Sequence, residues 1–102
     1  MNKITEESIR AFLNHERYVK SNMRVNSKSM YLFDNKIAWW DGNELWISTC
    51  GWKSKTTKER LNALPNVSIK QRNGIWYLNG IEWDGSPICV NGMNDLRIDG
   101  DC

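Results

Sequence analysis

The chain is poor in cysteine, histidine and proline, and it has no long apolar run. Of its 102 residues three are cysteine, two are proline and one is histidine. No stretch approaches the ~18 apolar residues that mark a membrane helix, so no segment is expected to span a bilayer. Glu6 and Glu7 fall where the apolar core of a secretory signal would begin, which argues against one. Cys50, Cys89 and Cys102 are widely spaced and form no CxxC pair. That pattern predicts free thiols in a reducing cytoplasm and a fold that needs no disulfide. With His15 as the single histidine, no zinc site is expected. Neither GxxxxGK[ST] nor GxGxxG occurs. His15 lies among charged residues of a predicted helix, and hairpin turns already account for Asp41 and Asp84. No catalytic residue, metal or cofactor is therefore expected, and the chain does not read as an enzyme.

What is present points to one small domain. The length suits a single modest core. Apolar residues make up 40% of the chain, enough to exclude disorder by composition, and six of them are tryptophans. The net charge of +2 is unevenly spread. Residues 1–49 carry seven basic and six acidic groups, residues 50–75 six basic groups against Glu59, and residues 76–102 Arg97 against five acids. The middle is thus +5 and the tail −4.

Periodicity changes along the chain. Thr5 with Glu6 and Glu7 reads as a helix start, and Ile9, Phe12 and Leu13 share one face until the helix fades near Glu16 to Tyr18. Residues 23–49 then alternate with period two. Met23 and Val25 suggest a weak strand. Met30 to Phe33, Lys36 to Trp40 and Glu44 to Thr49 read as three strands, turning at Asp34-Asn35 and at Asp41 to Asn43. Simple alternation groups Tyr31, Phe33, Ala38, Trp40, Leu45 and Ile47 on one face. It places Met30, Leu32, Ile37, Trp39, Trp46 and Ser48 on the other. A two-turn helix is predicted from Thr56 or Thr57 to Leu64, stopped by Pro65 and docked through Leu61 and Leu64. Asn73-Gly74 and Asn79-Gly80 are strong hairpin signals, the second pairing Leu78 with Ile81, Tyr77 with Glu82 and Trp76 with Trp83. The expectation is an α+β domain over residues 1–85, with an antiparallel sheet of five to seven short strands and two short helices. Residues 86–102 read as an extension, with an edge strand at Ile88 and Val90 and a loose remainder.

Two kinds of partner fit this pattern. Lys53, Lys55, Lys58, Arg60, Lys70 and Arg72 would neutralise phosphates, and Trp52 or Trp76 would stack on bases, as nucleic-acid binding requires. Against that stands the modest net charge. Protein binding asks less, because tryptophan and arginine dominate contact hot spots. The segment Trp52 to Arg60 with Lys70 and Arg72 is the expected partner site. The Trp39/Trp46 face is the second candidate, and an exposed face or free edge strand would also suit a homodimer.

Several strings carry a family likeness. They are Gly51-Trp52-Lys53, Thr56 to Asn62 (Thr-Thr-Lys-Glu-Arg-Leu-Asn), Leu64 to Val67, Trp76 to Gly80 (Trp-Tyr-Leu-Asn-Gly) and Trp83-Asp84-Gly85. Ile4-Thr5 through Phe12 and the Asn-x-Ile-Ala of Asn35 to Ala38 add to them. Across residues 3–85 the chain resembles a family of small bacteriophage proteins. The resemblance implies a virus-encoded protein of the host cytoplasm and brings no catalytic residues. It suits a non-enzymatic accessory protein that binds a host or mobile-element protein, in host takeover or anti-defence. The alternative is a nucleic-acid-binding factor for recombination or gene expression.

Overall fold

A computed structural model describes residues 3–90. Helix α1 (Lys3–Leu13) leads into five strands: β1 (Arg17–Lys20), β2 (Met23–Asn26), β3 (Ser29–Leu32), β4 (Asn35–Asp41) and β5 (Glu44–Ile47). Helix α2 (Lys55–Asn62) follows, then β6 (Ile69–Arg72), β7 (Ile75–Leu78), β8 (Ile81–Glu82) and β9 (Ile88–Cys89). The fold is α+β, with antiparallel pairing throughout. The strands form two sheets, ordered β1-β2-β3-β4-β5-β9 and β6-β7-β8.

The first helix buries Ile9 and Phe12 as its spacing predicts, but Leu13 is exposed. Thr5 does not cap α1, because the helix already runs at Lys3. Its hydroxyl is wholly buried and accepts from Arg60 Nη1 at 2.6 Å. Trp40 of β4 stacks on Phe12 at 5.3 Å, and its Nε1 donates to the Phe12 carbonyl at 3.2 Å. That contact fixes α1 to the inner face of the large sheet.

The face assignment needs correction in β3 and β4. The turn between them is Phe33-Asp34, both with positive φ (50° and 64°), as a type I′ turn requires. A bulge then interrupts the ladder. Tyr31 pairs with Lys36 but Met30 pairs with Ala38, leaving Ile37 as the extra residue. Ile37 and Ala38 are consecutive and both buried. The bulge therefore reverses the alternation, and Met30 and Leu32 join Ala38, Trp40, Leu45 and Ile47 inside. Tyr31 joins Trp39 and Trp46 outside.

The second helix begins two or three residues earlier than its threonines suggest. Ser54 is the N-cap, its hydroxyl accepting from the Thr57 amide at 3.0 Å. Leu61 and Leu64 are buried as expected. Arg60 also points inward. It is 3% exposed and donates from Nη2 to Asn22 Oδ1 at 3.2 Å as well as to Thr5. One guanidinium thus ties α2 to α1 and to the β1–β2 turn.

The small sheet follows its hairpin signals. Tyr77 pairs with Glu82 and Leu78 with Ile81, and the Trp76 and Trp83 rings lie 6.4 Å apart. Trp76, Leu78 and Ile69 enter the same core as the large sheet. The Gly85 carbonyl accepts from the Thr49 amide at 2.9 Å and from the Ser48 hydroxyl at 3.2 Å, which anchors residues 83–86 at the end of β5. Ile88 and Cys89 then pair with β5 as the outer strand. The expected loose tail lies outside the described residues. Cys50 is an exposed free cysteine, whereas Cys89 is disulfide-bonded. The expectation of three free thiols is corrected on that point, because spacing along the chain carries no information on distance in the fold.

Candidate binding surface

The loop after β5 presents Trp52 at one end of the large sheet. Trp52 is 45% exposed and its ring meets that of Phe33, itself 54% exposed, with centroids 5.6 Å apart. The two arrive from opposite directions. Phe33 occupies the first central position of the β3–β4 turn, and Trp52 follows the left-handed pair Cys50 and Gly51. Backbone bonds from the Trp52 amide to the Thr49 carbonyl (3.0 Å) and from the Ser54 amide to the Trp52 carbonyl (3.1 Å) fix the loop. A groove beside Phe33 is lined by Val19, Asn22, Arg24 and Asp34, and Val19 is 76% exposed. Apolar side chains from β1, the β3–β4 turn and the β5–α2 loop thus share one edge.

The basic residues expected to join Trp52 separate in space. Lys53 and Lys55 are exposed at the start of α2. Lys58 donates to Gln71 Oε1 at 3.0 Å and lies over the Trp76 ring, so it bridges α2 to β6. Arg60 is inside the protein. Lys70 pairs with Tyr77, and Arg72 lies over that ring at 5.8 Å, on the face of the small sheet opposite Gln71 and Trp76. The seven residues therefore form three groups: Trp52 with Lys53 and Lys55, the half-exposed Lys58 with buried Arg60 on α2, and Lys70 with Arg72.

Sequence reasoning named the Trp39/Trp46 face as its second candidate but missed Phe33, Val19 and the row of Arg24, Tyr31 and Lys36 beside those tryptophans. Val19 pairs with Arg24, Arg24 with Tyr31, and Tyr31 with Lys36, so these side chains form one cross-strand row. Trp39 pairs with Trp46 beside that row, and their rings are 6.4 Å apart and nearly parallel. Arg24 lies over the Tyr31 ring at 4.1 Å and Lys36 over the Trp39 ring at 5.1 Å. An apolar Phe at a turn was the available signal for Phe33. The bulge hid the row.

Around the Asp84 turn, the Ser86 hydroxyl and then the Ser86 amide donate to Asp84 Oδ1 at 2.7 and 3.0 Å. These bonds hold the carboxyl below its ordinary pKa, with a smaller contribution from nearby Lys53. They shape a turn, since Trp83 Nε1 donates to the Ser86 carbonyl at 2.9 Å beside them.

The class is that of a small two-sheet α+β domain with an exposed aromatic and basic surface. Among the described residues no three His, Cys, Asp or Glu side chains gather to hold a metal ion. No helix among them is long and apolar enough to cross a membrane. The family follows from the sequence as a whole: the chain belongs to the Kyanoviridae Gp96 protein family, whose model matches residues 1–95. This is a phage protein family. No curated protein and no solved structure matches the chain.

Proposed function

We propose that this phage protein is a non-enzymatic accessory factor that binds a host or mobile-element protein through the Phe33–Trp52 edge. The observation that carries the reading is the placement of Phe33. Its φ of +50° is one that glycine or asparagine adopts more readily, and a strained residue of this kind costs about 1–3 kcal/mol. The ring so placed fills no core site. It stands more than half in solvent against a second exposed aromatic ring. Strain kept for the display of an apolar side chain favours a binding role, and aromatic side chains dominate binding hot spots. Val19 extends the apolar patch, and exposed Lys53 and Lys55 flank it. The complementary partner surface is an apolar pocket with an acidic rim. Blocking or redirecting such a partner in the host cytoplasm needs no chemistry from this chain.

Affinity capture from infected cells tests this reading, with nuclease added and with salt raised. The wild-type chain should retain a discrete protein under both conditions, because an apolar interface is weakly sensitive to salt. Phe33→Ser combined with Trp52→Ser should lose that protein while folding normally. Equal capture by the double variant, or loss of every partner on nuclease treatment, would refute it.

A further inference from the structure

We infer that the outer face of the six-stranded sheet binds single-stranded nucleic acid. This goes beyond the protein-docking edge and rests on different aromatic residues, with Arg24 and Asp34 at the border of the two. Both helices pack on the inner side of the sheet: α1 through the Phe12–Trp40 stack, and α2 beside α1 through Arg60 and Thr5. Among the described residues the outer side carries three half-buried aromatic rings, Tyr31, Trp39 and Trp46, each with part of its surface in solvent. Such rings offer a stacking platform once the cations over them turn aside. Base-on-aromatic stacking contributes roughly 1–3 kcal/mol per base and tolerates any sequence.

The cations match this arrangement. Arg24 and Lys36 sit over two of the rings, and Arg17 is exposed on the same face of β1, opposite Asn26. A cation held above a ring needs only a side-chain rotation to meet a phosphate when a base takes its place. The acids of the face, Asp41 and Glu44, pair at the β4–β5 end, where Glu44 accepts from Trp46 Nε1 at 3.5 Å. Asp34 at the opposite turn contacts Arg24 at 3.7 Å with both groups well exposed, a pair that a phosphate can displace. The positive field therefore lies over β1 to β4 and ends near Trp46. Bases in a duplex are already stacked and paired, and a sheet face of this width does not enter a groove, so the preference is for unpaired strands.

Fluorescence anisotropy of the full chain with labelled oligonucleotides of about 20 nucleotides tests the proposal. The probes are oligo(dT), oligo(U) and a duplex of equal length. Both single strands should bind more tightly than the duplex and quench tryptophan fluorescence, and the ratio of dT to U affinity separates a DNA from an RNA preference. With three phosphate contacts, raising salt from about 50 to 200 mM should weaken binding roughly 20-fold. Trp39→Ala should weaken it about tenfold or more. Lys36→Glu, at an exposed position, should weaken it without changing the melting temperature. The Phe33/Trp52 double variant should bind the oligonucleotides normally, which keeps this test separate from that of the docking edge. No binding at low salt, equal binding of duplex, or full binding by both Trp39→Ala and Lys36→Glu would overturn it.

Discussion

Arg60 Nη1 donates to the hydroxyl of Thr5 at 2.6 Å, joining the two helices through residues 55 positions apart in the chain. The same guanidinium reaches Asn22 Oδ1 at 3.2 Å and Glu59 Oε1 at 3.1 Å. Arg60 is thus a structural cation. Hydrogen bonds to a charged group are worth about 1.5–3 kcal/mol, so Arg60→Ala should destabilise the fold by at least that range. Lys53→Glu with Lys55→Glu should stay near ±0.5 kcal/mol per site, as exposed substitutions do. Urea denaturation of the two variants separates these outcomes. Similar stabilities would mean that Arg60 is not a tie.

Trp39 and Trp40 are neighbours in sequence that face opposite sides of the sheet. Trp40 stacks on Phe12 and bonds to its carbonyl, so Trp40→Ala should cost roughly 3–5 kcal/mol. Trp39 stacks on Trp46 and lies under Lys36 on the outer side, away from the α1 core, and Trp39→Ala should cost clearly less. Thermal melts of the pair measure the difference. An equal or reversed order would mean that the bulge at Ile37 is misplaced.

Gly85 is held at φ +92°, and a Cβ there would run into the Thr49 side chain. Its carbonyl meanwhile accepts from Ser48 and Thr49. Gly85→Ala should therefore cost about 1–3 kcal/mol from backbone strain, with the collision at buried Thr49 added to it. Gly42, also at positive φ but in open space, should show the strain alone when changed to alanine. A smaller loss at Gly85 than at Gly42, read from melting temperatures, would contradict this packing.

Asp84 has its pKa lowered, first by the Ser86 hydroxyl and then by the Ser86 amide. A carboxyl depressed in the folded state stabilises the fold above its unfolded pKa. That contribution fades as pH falls through the folded value. The Asp84 carboxyl should titrate by NMR below the ordinary 3.8, and Ser86→Ala should move it back up. An unshifted midpoint in the wild-type chain would show that the turn is not held by these bonds.

Much of the fold was legible because hairpin chemistry is local. Asn73-Gly74 and Asn79-Gly80 fixed the small sheet, and the sharing of one face by Trp39 and Trp46 and of the other by Trp40 and Leu45 followed from alternation, with their register left to the turn. Strand β1 was hidden behind α1, because Arg17 to Lys20 carries two charges and lies mostly in solvent. The bulge was invisible because it is set by packing: Ile37 and Ala38 both enter the core, which no period-two pattern anticipates. The basic segment misled for a similar reason. Composition counts Arg60 with the lysines, but helical geometry turns it toward Thr5 while Lys55 faces solvent. Trp52 was legible as a loop aromatic, whereas its companion Phe33 was read as the end of a strand.

Site-specific photo-crosslinking in infected cells tests the central claim most directly. A benzophenone amino acid replaces Phe33 in one variant and Trp52 in another, with exposed Glu6 on α1 as the control position. The account predicts a discrete, nuclease-resistant protein adduct from positions 33 and 52 and none from position 6. Adducts of equal yield at position 6, or no protein adduct at 33 and 52, would contradict it.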